Sequence, residues 1–376
     1  MKSDRLIEYE LGEVCSRLSS GKGISAKLVN KQGSFPVFGG NGLRGFTEHN
    51  NFEGDCVIIG RQGAFCGNVR YFSGKAYMTE HAVVLCSNEK SSTRYLSYLL
   101  STMNLGQLSG QSAQPGLSVK TLSQQLVRLP PINDQCIIAA TLSVLDDKIS
   151  NNAKLNNHLE QIARAIYSDF QENDEGSLKP LAEIAVINTE TYSTNENWHY
   201  VDYLDTGNIT DGRVEAIQRI YPFSEKLPSR ARRKIKPKDI VYSTVRPIQR
   251  HFGIIVNPSE NMLVSTGFAV IRSVQPFVCN EYIYLHMTSE TTIAHLQKLA
   301  EQSVSTYPSI KPTDIGMYEI FVPSYKDGQC ISELLAPLFE LMASNNEESV
   351  RLSALRDALL PRLMSGELSV ADLTAK

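Results

Sequence analysis

Two long stretches of this chain keep their apolar residues at alternating intervals of three and four. The first runs Leu142, Leu145, Ile149, Asn152, Asn156, Leu159, Ala163, Ile166, Phe170. The second runs Leu335, Leu338, Met342, Asn345, Ser349, Leu352, Arg356, Leu359, Leu363. A 3.5-residue repeat sustained for about four heptads predicts coiled-coil helices rather than helices on a globular surface. Each seam turns polar at its centre, at Asn152 and Asn345, and becomes apolar again afterwards. Polar side chains on a seam fix register and orientation at some expense of stability, so these two asparagines are the candidate register-setting residues. Outside the seams the pattern shortens. "FPVFGGNGLRGF", "DCVIIG" and "HAVVLC" read as strands and "RYLSYLLSTM" as a helix. Further on, "HYVDYLDTGNI", "DIVYSTV", "FGIIVN" and "GFAVIRS" read as strands, followed by "CNEYIYLHMTS". Short strands punctuated by turns, with one or two short helices, predict an α+β unit of about 130 residues.

The pattern is written twice. "QPGLSVKTLSQQLVRLPP" answers "YPSIKPTDIGMYEIFVPS", pairing Pro115 with Pro308 and Pro130 with Pro323 at one offset of 193, which the two seams share. Upstream, "TEHAVVLCS" answers "STGFAVIRS", "RYLSYLL" answers "EYIYLHM", and "GDCVIIGRQG" answers "KDIVYSTVRP". The offset drifts where loops are expected and holds through the helices, as in a duplicated module with variable loops. The first helix then carries the chain from unit one to unit two, and the second, packed antiparallel, returns it. The expected fold class is α+β: two duplicated α/β domains joined by two long antiparallel coiled-coil helices, pseudo-twofold symmetric. About forty helical residues at 1.5 Å each make a spacer of roughly 60 Å. The division expected is 1–131 and 173–323 for the domains, with 132–172 and 324–376 for the helices and the tail.

Composition adds little, but the placement of charge adds more. The 376 residues are 42% hydrophobic and 20% charged, with a net charge of −3, as expected of a folded, soluble protein. No apolar run is long enough to span a membrane and the start lacks a signal-peptide core, so a cytoplasmic protein without membrane contact is expected. Seven cysteines form neither a CxxC nor a Cys/His cluster, which fits a reduced protein with no zinc site. Residues 16–47 contain Arg17, Lys22, Lys27, Lys31 and Arg44 with no acid, and residues 226–250 contain nine basic residues against Asp239 alone. Residues 133–175 carry eight acids against three bases. Basic zones separated by acidic ones suit a protein that meets nucleic acid on some faces and other proteins elsewhere.

Catalytic motifs are missing from the sequence. No GxxxxGK[ST] loop is present to hold a nucleotide. "LPPIN" superficially resembles the Asn/Asp-Pro-Pro-aromatic loop of amino-methyltransferases, but it lacks both the leading Asn/Asp and the aromatic. "DDK" at 146–148 falls on a seam helix, where solvated charge is expected rather than a nuclease centre. The polar concentrations are more informative. In "VIIGRQGAFCGNV" a β-branched strand runs into Arg61 and Gln62, with glycines at 60, 63 and 67. In "SRARRKIKPKDIVYSTVRPIQRH" a basic cluster precedes the matching strand, which ends in Arg246, Gln249 and Arg250. One scaffold with different tip residues suggests two readers of two sequences. Lys and Arg neutralise phosphates, whereas Arg and Gln in a groove discriminate bases.

These phrases together resemble the specificity subunit of type I DNA restriction-modification systems. The carriers are "FGGNGLRGF", "GDCVIIGRQGAFCGNV" and "TEHAVVL" in the first unit and "PSRARRKIKPKDIVYSTVRP" in the second. "LPPINDQ" entering the first long helix and "LRDALLPRLMSGELSV" closing the second belong with them. The resemblance implies two target recognition domains, each reading one half of a split, asymmetric sequence in double-stranded DNA, and no catalytic residues. It implies docking of two adenine methyltransferase subunits and a restriction translocase-endonuclease. S-adenosylmethionine, ATP and Mg would be held by those partners and no cofactor by this chain. By transfer, the DNA-binding candidates are Asn41, Arg44, Arg61, Gln62 and Asn68 in the first domain. In the second they are Arg230, Arg232, Arg233, Lys234, Arg246, Gln249 and Arg250. Arg61 and Gln62 are expected to read bases, and Arg232, Arg233 and Lys234 to hold phosphate. The alternatives are a stand-alone DNA methyltransferase or nuclease with an unrecognised site, and a coiled-coil scaffold that binds only proteins. One departure from the pattern is "YKDGQC" at 325–330, where Gly328 weakens the start of the second helix.

Overall fold

The computed structural model describes residues 6–109, 116–173, 175–303 and 308–371. Pro115, one half of a matched pair in the repeat, lies outside them. The chain divides into two compact units, Met1–Ser150 with Ser349–Lys376, and Asn151–Glu348.

Unit one contains β1 (Ile7–Glu10), β2 (Cys15–Ser20), β3 (Phe35–Gly39), β4 (Gly42–Thr47), β5 (Phe52–Gly60), β6 (Val69–Met78), β7 (Ala82–Ser87) and β8 (Leu126–Leu129). Its short helices are α1 (Thr93–Thr102) and α2 (Val119–Ser123), and the long helix α3 (Ile132–Asn173) begins here. Six strands form one mixed sheet in the order β2-β7-β5-β6-β3-β4, and β1 pairs with β8. The β-branched run Val57–Ile59 is buried because β5 is central, with β6 on one side and β7 on the other. Tyr95, Leu96 and Leu100 of α1 close over Val57, Ile59, Val83 and Leu85.

Unit two contains β9 (Ser177–Pro180), β10 (Ala185–Ile187), β11 (Val201–Leu204), β12 (Ile209–Thr210), β13 (Arg213–Val214), β14 (Gln218–Ile220) and β15 (Ala231–Lys234). There follow β16 (Asp239–Ser243), β17 (Phe252–Ile255), β18 (Met262–Ser265), β19 (Phe268–Ser273) and, after three helices, β20 (Glu319–Val322). The helices are α4 (Asn280–Met287), α5 (Glu290–Ser303), α6 (Pro312–Gly316) and the long α7 (Tyr325–Met364). Two four-stranded sheets, β10-β19-β16-β17 and β14-β11-β18-β15, share the unit with the pairs β12-β13 and β9-β20.

The repeat is borne out in the central sheet and in the elements that lead into the long helices. Strand β16 lies between β17 and β19 as β5 lies between β6 and β7. The starts of α2, β8 and α3, at Val119, Leu126 and Ile132, recur at Pro312, Glu319 and Tyr325, each 193 residues on. Both α3 and α7 run through both units. In unit one, Ile138 and Leu142 of α3 share a core with Leu363 and Met364 of α7, and the Arg356 Nη1 donates to Asp146 Oδ1 at 3.0 Å. In unit two, Ala163 and Tyr167 share a core with Leu335 and Phe339. There Asn152 and Asn345 are 2% and 7% exposed, not on a solvent face. Asn152 Nδ2 donates to Asn345 O at 3.2 Å and Glu348 Oε2 at 2.8 Å, while Asn345 Nδ2 donates to Asn156 Oδ1 at 2.8 Å. Within each unit, residues increasing along α3 meet residues decreasing along α7, so the helices pack antiparallel.

Gly328 lies within α7, whose start is secured by Ser324, the Oγ of which accepts from Asp327 N at 3.2 Å. The glycine is required by packing, since a Cβ there would lie 2.3 Å from the Phe277 carbonyl oxygen. Gly328→Ala should therefore destabilise unit two by about 1–3 kcal/mol despite alanine's better helix propensity. Denaturant unfolding will show it as a lower midpoint, and an unchanged or raised midpoint would contradict the packing.

Candidate nucleic-acid interface

In unit one the strand β5 delivers the chain to Gly60, and the next residues are fixed by their backbones. Arg61 N donates to His81 O at 3.0 Å, Arg61 O accepts from Leu117 N at 2.8 Å, and Gln62 bridges to Gly116. Gly60 N donates to Asn68 O, and Gly67 N donates to Gly60 O, both at 2.8 Å. The loop is thus a closed, rigid tongue. Its glycines meet its own unit. A Cβ on Gly60 would come within 2.3 Å of Phe65 O and 2.6 Å of Gly40 O, and one on Gly67 within 2.3 Å of Gly106 N. The Gly40 contact sets the β3–β4 turn, which carries Asn41, against Arg61. Asn41, Gln62 and Asn68 are exposed, as is Arg44 on β4. Arg61 is half-buried and its Nη1 donates to Ser20 Oγ at 3.3 Å. All five candidates of the first domain therefore lie on adjoining segments.

Unit two places its candidates in two regions, at β15 and in the turn between β16 and β17. Arg230 is exposed, and its carbonyl accepts from Thr266 N at 2.8 Å. Arg232, Arg233 and Lys234 lie along the edge strand β15 and are half-buried. Arg232 Nη1 donates to Tyr192 O at 3.4 Å. Lys234 Nζ pairs with Glu196 and stands 5.2 Å from the Trp198 ring centroid. That bond holds the Glu196 carboxyl below its ordinary range. Much of this basic run is therefore spent inside the domain. Arg246, Gln249 and Arg250 follow β16, at the place that Gln62 and its neighbours occupy after β5. Arg250 Nη2 donates to both Glu290 oxygens at 2.5 and 2.7 Å, which raises the guanidinium pKa. Gln249 is exposed.

Asp146 of "DDK" accepts from Tyr98 OH at 2.5 Å as well as from Arg356, so it is a structural residue. Among the described residues no three His, Cys, Asp or Glu side chains stand close enough to hold a metal ion. Among them, too, no helix is long and apolar enough to cross a membrane.

Residues 6–161 match the family model described as type I restriction modification DNA specificity domain. Over those residues the chain is similar to the type I DNA specificity domain. The resemblance drawn from the residues is thereby borne out. The chain is 41% identical over 140 residues to the type I restriction enzyme EcoprrI specificity subunit of Escherichia coli, a match covering 36% of this chain and 35% of that protein. It is 26% identical over 309 residues to the MjaIX specificity subunit of Methanocaldococcus jannaschii, covering 75% of this chain and 70% of that one. The first of these alignments thus spans about a third of its relative's length. In fold, it is similar to the crystal structure of a type I restriction-modification S subunit from M. genitalium, with a TM-score of 0.68 at 15% identity over 95% of this chain and 96% of that one. Most of unit two lies beyond the matched residues, yet it repeats the central strand, flanking strands and long helix of unit one.

Two features of the turns after β5 and β16 escaped the sequence reading. Each turn exposes a large apolar side chain, Phe65 at 45% and Ile248 at 56%. In unit two the turn is also held by α5, through Glu290 and Gln297. A signal for α5 was present, since Ile293, Leu296 and Ala300 recur at helical spacing in "ETTIAHLQKLAEQS" and are buried.

Proposed function

We propose that the chain is the DNA-reading subunit of a type I restriction-modification assembly. Residues 1–131 and 173–323 each read one half of a split, asymmetric duplex sequence, and 132–172 and 324–376 are the helical spacer between them. The observation that carries this reading is one scaffold used twice, with an exposed polar turn after the same central strand in each copy and different residues on the two turns. Arg61 and Gln62 read base edges in the first half. Arg246, Gln249 and Arg250 form the second reading turn. Asn41, Arg44, Asn68 and Arg230 support these contacts at the groove and backbone. Arg232, Arg233 and Lys234 contribute to the phosphate footprint less than their number suggests, because internal partners take part of their charge.

The partners would be two adenine methyltransferase subunits and a restriction translocase-endonuclease, which supply S-adenosylmethionine, ATP and Mg chemistry. The long helices fit a protein-facing role, since Val144 and Ile162 of α3 and Leu341 and Leu355 of α7 remain exposed.

Co-expression with an adenine methyltransferase subunit, followed by methylome sequencing, tests the proposal. A two-part, asymmetric methylated motif is expected. Methyl transfer or nicking by this chain alone would favour the enzyme reading, and random methylation would remove the specificity role. Once the motif is known, Arg61→Ala with Gln62→Ala should cost about 1–3 kcal/mol per lost bidentate contact on the first half-site. Binding to unrelated duplex should change much less in the same gel-shift titration.

A further inference from the structure

We propose that the turn Arg246–Arg250 reads an A·T base pair in the major groove, with Ile248 packed on the thymine 5-methyl group and Gln249 paired with the adenine edge. This rests on the reading that the second unit binds duplex DNA, and it names the chemistry that the unit recognises.

The turn is built to hold an apolar side chain in water. Ile248 is 56% exposed, standing on a single helical turn whose flanking residues, Arg246 and Arg250, both adopt left-handed backbone conformations at φ +46° and +57°. Neither is a glycine. Such conformations are costly for side-chain-bearing residues and persist only where the surroundings over-determine them. Here they do. Arg246 N donates to Pro308 O at 3.0 Å, Ile248 N to Gln297 Oε1 at 3.1 Å, and Arg250 N to Pro247 O at 3.0 Å. The Arg250 guanidinium is clamped on Glu290 of α5, and Pro247 beneath is buried. A connection between β16 and β17 needs none of this. The strain and the clamps fix one geometry, and that geometry leaves Ile248 and Gln249 as the exposed pair.

What the pair could meet follows from its chemistry. An apolar side chain gains nothing from phosphate. Thymine's methyl group is the apolar feature that base edges present in the major groove, and the adenine opposite presents the N6/N7 pattern that a glutamine amide matches. Arg250, its charge already engaged by Glu290, acts as a positioning residue rather than a reader of guanine.

The test uses the full chain with its methyltransferase partner and duplexes carrying the motif found by methylome sequencing. Each thymine of the second half-site is replaced in turn by uracil, which removes only the methyl group. One replacement should weaken wild-type binding about fourfold, the value of one buried methyl group. Ile248→Ala should bind the thymine and uracil duplexes equally, with an unchanged melting temperature because the side chain is exposed. Gln249→Ala should relax the choice at that same base pair. Selective binding that is indifferent to every uracil replacement would overturn the inference while leaving the DNA-reading function in place. So would an Ile248→Ala variant that keeps the methyl sensitivity, or one that loses only its association with the methyltransferase. Absence of selective binding by the wild type would overturn the functional reading and this inference together.

Discussion

Replacing Arg272 with methionine should destabilise the second unit by about 3–5 kcal/mol. Asp239 at the head of β16 is completely buried, and Arg272 on β19 grips it with two parallel bonds, Nε to Oδ1 at 2.7 Å and Nη2 to Oδ2 at 2.6 Å. The backbone N–H of Lys236 adds a third at 2.7 Å, and Arg272 Nη1 reaches Glu190 at 3.2 Å. Methionine preserves most of the apolar stem and removes both guanidinium donors, so the buried Asp239 carboxylate would keep the Lys236 N–H but lose the charge and the two bonds that offset its lost hydration. A domain of this kind has a net stability of about 5–15 kcal/mol, so the change consumes a large share of it. Adding Asp239→Asn should recover much of the loss, because a buried pair is costly to break from one side and cheap to replace from both. Denaturant midpoints of the single and double variants decide the matter. A single variant within about 1 kcal/mol of wild type would mean that the carboxylate is not held as described.

The second unit should also weaken as pH falls from neutrality, and His286 should supply a separable part of that loss. Burial pushes this imidazole down to about 4, against a smaller upward pull from the backbone at Glu319. Its Nδ1 lies 2.5 Å from the Tyr167 hydroxyl, and its ring packs against Tyr167 and Tyr318. In the unfolded chain the same group titrates near its ordinary value of about 6.5. Between those two values the unfolded state holds a proton that the native state does not. Its contribution is therefore complete above about pH 7 and falls as pH drops through 6.5, reaching a loss on the order of 3 kcal/mol near pH 4. Protonated carboxylates will add their own losses, so the informative quantity is a difference. His286→Phe keeps a ring in place and cannot titrate, so its unfolding free energy should fall less steeply over that interval. Parallel curves for wild type and variant would exclude the histidine.

The long helices and the duplication were legible because each rests on a period. A 3.5-residue seam survives any loop variation, and the 193-residue offset between matched elements is constant wherever helices forbid insertions. The central strands were equally plain, since a run such as Val57–Ile59 is apolar on both faces. Strand β6 was not legible. "VRYFSGKAYM" is interrupted by Ser73, Gly74 and Lys75, and it is a strand because β5 pairs with it along eight residues, from Phe52 to Ile59. Charge was the least legible feature. Residues 226–250 look like a bare basic tract with Asp239 alone against it, yet Lys234 pairs with Glu196, Lys236 with Glu190 and Arg250 with Glu290. Each of those carboxylates lies about forty residues away in sequence. A count within one stretch cannot see partners that only folding supplies, which is why Arg232–Lys234 look freer in the sequence than they are on β15.

The first unit draws part of its interior from the far end of the chain, where Leu359, Leu360, Leu363 and Met364 join the cluster around Tyr95 and Leu100. At a synthesis rate of about 5–20 residues per second, the ribosome needs roughly 10–40 s after residue 150 to deliver them. During translation the earlier-made half waits, incomplete and greasy, for its last layer, and is the stage at which a chaperone would be needed.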